Sequence, residues 1–243
     1  MKKIIRFITL IVIISIIGSV AYAAEGTGPY RRVLSKAGTT STPYSWMKTS
    51  VTLPSSNNVK EVQINDTAYA YIGGVSSTGV QVDAGLQHSP TYGNWAPIIY
   101  CNGKSFNTPS SERFDAGQTV TMEFYVVSDN NVRLSATGKV AGVTKTLSVD
   151  CNNATGFKKN GVGNQLKRAT TIGQKPENLS SGSYVYGVRW FNSYIGTSSS
   201  TNHQWLAADM PSSGGYTSYP NSTKVSVSFV NAGEETVTID LRK

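Results

Sequence analysis

Histidine is nearly absent from this chain, which contains two copies, His88 and His203, among 243 residues. Serine hydrolase triads and catalytic zinc sites commonly use histidine, and no serine stands in a G-x-S-x-G context. The acidic turns at Asp66 and Asp129 lack the dense run of oxygen ligands that a calcium loop needs, so plain turns explain them. The sequence therefore predicts neither a metal ion nor a cofactor.

Charged side chains are also scarce, at 15% of the residues, and they are scattered along the chain. The absence of a basic block argues against nucleic acid as a partner. The net charge is +8, and it falls to +5 without residues 1–23, which hold three basic residues and no acidic one. This charge either favours contact with an anionic cell wall or polysaccharide, or keeps an exported protein soluble.

The longest apolar run lies at the N-terminus. Lys2, Lys3 and Arg6 precede an isoleucine-rich segment that ends in the small-residue pattern "AYA" at residues 21–23. This order is typical of a secretory signal peptide, cleaved after Ala23. The alternative is an uncleaved membrane anchor over residues 7–24. We therefore predict a signal peptide (residues 1–23) and a secreted, extracellular protein that has no membrane partner after cleavage.

Cysteine is limited to Cys101 and Cys151. An even number of cysteines in an oxidising compartment predicts a disulfide bond between them. Two free, buried thiols are the alternative.

Helical periodicity is missing after the N-terminal segment, whereas β-branched and aromatic residues alternate with polar ones in short runs. About twelve such runs predict an all-β, two-sheet antiparallel jelly-roll sandwich of the concanavalin A type, formed as a single domain by residues 24–243. The predicted strands cover residues 44–53, 59–65, 68–74, 79–87, 96–101, 118–127, 132–140, 143–149, 184–195, 203–207, 224–230 and 235–241. Residues 152–182 are rich in Gly, Asn and Lys, and predict a long loop over the binding face, with a turn of helix at 163–170.

The stretch "GVQVDAGLQHSPTYGNWAPIIYC" contains the candidate binding residues. Alternation places Gln81, Asp83, Gly85 and Gln87 on one face of a strand, where amide and carboxylate groups could bind sugar hydroxyls or a peptide backbone. The alternative is an ordinary solvated sheet face. Four aromatic residues are suited to stacking on a sugar. Tyr92 and Trp95 follow this strand directly, and Trp190 and Trp205 lie on other predicted strands. For each tryptophan, core packing is the alternative.

Acid–base catalysis on a sheet needs two carboxylates on one face, or one carboxylate with an amide or water partner. Asp83 is the first candidate, and Glu123 in "TVTMEFYVV" is the second. No spacing rule joins their two strands, so an unrelated surface glutamate is the alternative for Glu123.

Two family resemblances follow from these segments. The whole chain resembles the YrpD-like secreted proteins of Bacillus, through its signal segment and through "YAYIGG", "VDAGLQHSPTYGNWAPIIY" and "FDAGQTVTMEFYV". This resemblance implies a Gram-positive exported protein with a lectin-like sandwich. The segment "DAGLQ…YGNW" is similar to a motif of glutamic peptidases of the eqolisin and neprosin type, with Asp83 at the acidic position, where the family has Glu.

Three functions fit the sequence. The first is a β-sandwich protein that binds a polysaccharide or cell-surface glycan through Asp83, Gln87, Tyr92 and Trp95. The second is a secreted hydrolase, directed at glycans or peptides, in which Asp83 and Glu123 are acid and base. The third is an extracellular structural or matrix protein without a small ligand.

Overall fold

The computed structural model describes residues 28–109 and 111–243, so the expected signal peptide lies outside the described residues. Within this part of the chain no helix is long and apolar enough to cross a membrane. The regular elements there are two short 3-10 turns and sixteen strands: β1 (Tyr30–Leu34), β2 (Trp46–Thr52), β3 (Val59–Lys60), β4 (Thr67–Val75), β5 (Gln81–Ser89), β6 (Asn94–Cys101), β7 (Lys104–Asn107), β8 (Thr119–Ser128), β9 (Asn131–Val140), β10 (Val143–Cys151), β11 (Gln165–Gly173), β12 (Tyr184–Gly196), β13 (Asn202–Gln204), β14 (Tyr216–Tyr219), β15 (Val225–Asn231) and β16 (Glu234–Asp240).

The strands form two antiparallel sheets that pack face to face, which confirms the predicted jelly-roll sandwich. The first sheet has seven strands in the order β14-β1-β11-β4-β5-β6-β7. The second has nine strands, in the order β10-β9-β8-β2-β12-β16-β15, with β3 and β13 also paired to β12. In each sheet order, three of the six neighbouring pairs join strands that are distant in sequence, such as β11 with β4 and β2 with β12, as expected of a jelly roll.

Alternation along the strands builds the core between the two sheets. In β5, Val82, Ala84 and Leu86 are fully buried on the inner face of the first sheet, and in β8 Met122 and Phe124 are fully buried on the inner face of the second. Burial of a side chain as large as Val, Leu, Met or Phe stabilises the fold by about 1.5–3 kcal/mol relative to an exposed one. The remaining residues of these strands point to the outer faces of the sandwich.

The predicted disulfide bond is present between Cys101, at the end of β6, and Cys151, at the end of β10. Because β6 belongs to the first sheet and β10 to the second, the bond links the two layers of the sandwich. Its sequence separation of 50 residues corresponds to a stabilisation of about 4 kcal/mol in the chain-entropy model.

The structure corrects the predicted loop at residues 152–182. Its middle is β11, a nine-residue strand near the centre of the first sheet, and the expected turn of helix at 163–170 is absent there. Strand β11 carries two consecutive charged residues, Lys167 and Arg168, which made the segment look solvated, yet both are fully buried. Strands β1, β7 and β14 were not predicted either, since they are short and polar.

Candidate active site

Three strands bring a lysine and an aspartate together on the outer face of the first sheet. Lys167 on β11 lies opposite Gly73 on β4, and Gly73 lies opposite Asp83 on β5. Because Gly73 has no side chain, Lys167 reaches across β4, and its Nζ lies 2.5 Å from Oδ1 of Asp83. Gly73 has φ +142°, and an added Cβ would lie 2.2 Å from the Val82 carbonyl oxygen, so only glycine fits this position.

Lys167 also holds the neighbouring amide on β5. Its Nζ donates a hydrogen bond to Oε1 of Gln81 over 3.0 Å, and it lies 5.5 Å from the ring centroid of Tyr71. The lysine side chain is fully buried and that of Asp83 is 8% exposed. Burial of two charges is tolerated because they pair with each other and the lysine gains an amide oxygen and an aromatic face.

The lysine determines which way the Gln81 amide faces. An ammonium group can only donate hydrogen bonds, so the amide oxygen of Gln81 points to Lys167 and its Nε2 donor points away. Gln81 and Asp83 both line a cavity of about 240 Å³. Tyr100, which lies opposite Asp83 on β6, also lines the cavity, and the other lining residues come from the hairpin turns on either side, namely Thr78, Gly79, Val80, Asn102 and Gly103. The lining thus includes the Asp83 carboxylate and the amides of Gln81 and Asn102.

Tyrosines form the wall next to this site. Tyr69 and Tyr71 make an apolar cluster with Ala169 on the outer face, separate from the main core. Burial raises the pKa of Tyr69, and the charges of Glu61 and Asp83 raise it further. An added Cβ at Gly85 would lie 2.3 Å from Cα of Tyr71, so the backbone of Tyr71 fills the space beside Gly85.

The predicted ligand-binding residues on β5 do share one face. Gln81, Asp83 and Gln87 all point outward on the first sheet, and Gln87 lies opposite Tyr69 on β4. Tyr92, which is 64% exposed, lies in the turn after β5. The last residue of β5, Ser89, is six residues beyond Asp83, about 20 Å away at the rise of a strand, and the turn follows it. Tyr92 therefore lies apart from the cavity.

The tryptophans predicted to contact a ligand belong to the core instead. Trp95, Trp190 and Trp205 have no exposed surface. The indole nitrogen of Trp190 donates to Thr170 Oγ1, and that of Trp205 donates to the Met210 sulfur. The expectation that they stack on a sugar is therefore wrong. Alternation shows which residues share a face of a strand, but it does not show that the face with the tryptophan is the inner one.

The structure does not bring Asp83 and Glu123 together. Glu123 points outward from β8 in the second sheet, 3.5 Å from Lys48 Nζ, whereas Asp83 points outward from the first sheet. The two carboxylates lie on opposite outer faces of a sandwich whose sheets alone are about 10 Å apart. A glycosidase pair needs carboxyl groups about 5–9.5 Å apart, so the predicted pairing of Asp83 with Glu123 as acid and base is wrong.

The two histidines lie elsewhere. His88 Nδ1 is 3.0 Å from Glu61 Oε2 in a buried pair beside Trp95. His203 Nε2 is 2.9 Å from Asp209 Oδ1, an atom that also accepts a hydrogen bond from the Tyr44 hydroxyl. Within residues 28–109 and 111–243 there is no group of three His, Cys, Asp or Glu side chains that could hold a metal ion.

Lys167 is the site residue that the sequence analysis missed. It lies in the segment predicted as a loop, and the lysine itself resembles a solvated charge. A signal was present in the alternation of Leu166, Thr170 and Ile172, all buried on the inner face of β11, which is typical of a strand.

Comparisons with known proteins place the fold. No protein-family model and no curated protein sequence matches the chain. Solved structures of scytalido-glutamic peptidase with transition-state analogues match 87% and 88% of this chain and 98% of their own, at 9% identity, with TM-scores of 0.55 and 0.57. An eqolisin peptidase, SCP-B, in complex with the tripeptide Ala-Ile-His, matches 87% of this chain and 98% of its own, at 9% identity, with a TM-score of 0.54. The chain therefore shares the fold of these peptidases.

Proposed function

We propose that the protein is a hydrolase that cleaves the peptide bonds of a substrate, with Asp83 as the residue that carries the reaction. The observation that carries this proposal is that Asp83 and Gln81 are both held by Lys167 and both line one cavity. A carboxylate beside an amide donor is the minimum set for acid–base hydrolysis of an acyl compound. The likeness in fold to glutamic peptidases supports a peptide substrate over a glycan.

Asp83 is the general base of the proposed reaction. It takes a proton from a water molecule, whose oxygen then adds to the carbonyl carbon of the substrate. The resulting oxyanion accepts a hydrogen bond from Nε2 of Gln81. When the carbon–nitrogen bond breaks, the protonated Asp83 returns its proton to the leaving amine, which restores the carboxylate.

Lys167 acts in this proposal as a positioning residue. It has no exposed surface, so it cannot touch the substrate. Its ammonium group pairs with the Asp83 carboxylate, and it orients the Gln81 amide. Both effects hold the reacting groups ready before the substrate arrives.

An extended peptide fits the shape of the site. The outer face around Asp83 is a sheet surface with the Tyr69 and Tyr71 wall on one side and the cavity between two hairpin turns on the other. A chain in extended conformation places alternate side chains on the same side, so one side chain can enter the cavity while the backbone crosses Asp83.

The proposal is tested by measuring whether the purified protein hydrolyses denatured, fluorescently labelled casein between pH 3 and pH 8. Asp83→Asn should lower the rate about 100-fold or more, and Gln81→Leu should lower kcat by a similar factor. Asp129→Asn is the matched control, because Asp129 also pairs with a lysine, Lys158, but is 56% exposed and lies on a turn. Intact casein at every pH, or equal rates for Asp83→Asn and the wild type, would contradict the proposal.

A further inference from the structure

A second groove lies on the opposite side of the molecule from Asp83. It has a volume of about 250 Å³ and opens on the outer face of the second sheet. Its walls come from β2, β8, the segment before β11 and the loop that follows β12. The lining residues are Trp46, Glu123, Tyr125, Lys159, Thr197, Ser198 and Ser199.

Two aromatic residues form the floor of this groove. Trp46 on β2 and Tyr125 on β8 lie directly opposite each other in the sheet. Trp46 is 6% exposed and Tyr125 is half-buried, so Tyr125 presents more of its ring to the groove than Trp46 does. Arg133 on β9 lies opposite Tyr125 and pairs with Asp150 over 2.5 Å. The groove thus contains two neighbouring aromatic side chains, with a basic side chain beside Tyr125.

Hydrogen-bonding groups of both kinds surround the aromatic floor. Glu123 supplies acceptors, and its Oε1 is 3.5 Å from Nζ of Lys48, outside the groove. Lys159 Nζ donates to the Val126 carbonyl oxygen over 2.8 Å, and an ammonium group has two further N–H donors for a ligand. Ser198 and Ser199 add hydroxyls from the loop.

The charges of the groove select the class of ligand. Among the described residues that line the groove, Glu123 and Lys159 are charged, and their charges are opposite. An anion would meet the Glu123 carboxylate, and a cation would meet the ammonium groups of Lys159 and of Lys48 beside Glu123. A neutral molecule with adjacent hydroxyls can instead donate to Glu123 and accept from Lys159. A pyranose ring has adjacent hydroxyls and an apolar face that packs on aromatic rings.

We propose that this groove binds a neutral oligosaccharide, with one sugar ring against Tyr125 and above Trp46 and its hydroxyls bound to Glu123 and Lys159. Its strands β2 and β8 belong to the second sheet, whereas the Asp83–Lys167 pair lies on the first. The proposal does not depend on the hydrolase function. A protein with both sites would hold a glycan surface with one sheet and act on a peptide with the other.

Titration calorimetry with cellohexaose, chitohexaose and maltohexaose tests this site in the purified protein. At least one of the three should bind, and Glu123→Gln and Tyr125→Ala should each weaken that binding about tenfold or more. Glu123 and Tyr125 are surface-facing, so both variants should fold, as circular dichroism would check. Glu234→Gln is the control, because Glu234 also pairs with a basic side chain, Arg189, at 2.7 Å, but lies on β16 away from the groove.

Gln81→Leu separates the two sites, because it removes the amide from the first sheet and leaves the Lys167–Asp83 pair in place. It should leave oligosaccharide binding unchanged while it lowers the proposed hydrolysis. The groove proposal is overturned if none of the three sugars binds, or if binding survives both groove variants. Loss of binding in Gln81→Leu alone would also overturn it, since the sugar would then occupy the first sheet.

Discussion

The ammonium of Lys167 lies 2.5 Å from the carboxylate of Asp83, although a whole strand, β4, separates the strands that carry them. The missing side chain at Gly73 leaves room for this contact, and the pair is almost completely shielded from water. A charge pair of this kind is sensitive to the loss of either partner, because the remaining charge is left buried.

Replacement of Lys167 should therefore lower the free energy of unfolding. Lys167→Met leaves Asp83 without its counterion, and we expect a loss of about 3–5 kcal/mol in the free energy of unfolding, measured with urea. The double variant Lys167→Met with Asp83→Leu should recover most of this loss, because no buried charge remains. Lys145→Met, at an exposed position on β10, should change stability little. A double variant no more stable than Lys167→Met would contradict the charge-pair account.

A methyl group added at Gly73 should also destabilise this site. Gly73→Ala combines a backbone conformation that alanine rarely adopts with an overlap of the Val82 carbonyl, so we expect a loss of roughly 3 kcal/mol. Gly79→Ala is the control, because Gly79 also has a positive φ, +84°, but an added Cβ there meets nothing within 4 Å. It should lose only about 1–2 kcal/mol. Equal losses at both positions would mean that backbone conformation alone explains the need for glycine.

Removal of the disulfide should weaken the whole sandwich. The Cys101→Ala, Cys151→Ala double variant loses a bond that closes 50 residues and links the two sheets, so we expect a loss of about 4 kcal/mol. Thermal and urea unfolding of this variant can be compared with the wild type, with and without dithiothreitol. Reductant should lower the stability of the wild type and leave the variant unchanged. A variant as stable as the wild type would show that packing alone holds the two sheets together.

The carboxylate of Asp240 should make stability depend on acidity. The Arg242 guanidinium, through its hydrogen bonds, lowers the pKa of Asp240 from 3.8 to about 2, and the Tyr186 hydroxyl adds to this effect. Because the folded pKa is depressed, the stabilisation is complete above about pH 4 and is lost as the pH falls through 2. After allowance for solvent screening we expect about 1 kcal/mol.

The variant Asp240→Asn provides the measurement for this effect. Its free energy of unfolding should be lower than that of the wild type at pH 6 and should approach it at pH 2. Asp129→Asn, at an exposed turn, should give parallel curves over the same range. A constant difference between Asp240→Asn and the wild type from pH 6 to pH 2 would exclude the carboxylate as the cause.

Strand β5 shows how much local sequence can predict. Its strict alternation placed Val82, Ala84 and Leu86 inside and Gln81, Asp83 and Gln87 outside, as the structure has them. Alternation is a local property of an extended chain, so it can be read without knowledge of the fold. The cysteine pair is similar, because two cysteines allow only one internal bond.

Strand β11 shows where local sequence fails. Its two charged residues, Lys167 and Arg168, are typical of a solvated loop, yet each is buried against a partner far away in the chain, Asp83 or Glu235. The same holds for the tryptophans, whose burial depends on what the opposite sheet presents. A sequence window contains no information on such partners.

The sequence by itself determined the all-β class, the antiparallel sandwich, the disulfide and the outward face of β5, since each follows from alternation or from composition. Only the tertiary structure decided which side chains meet there. It put Lys167 beside Asp83 and Gln81, and it put Glu123 with Trp46 and Tyr125 on the other sheet. The physical reason is that sheet neighbours are chosen by long-range strand pairing, which depends on the packing of both layers and not on nearby residues.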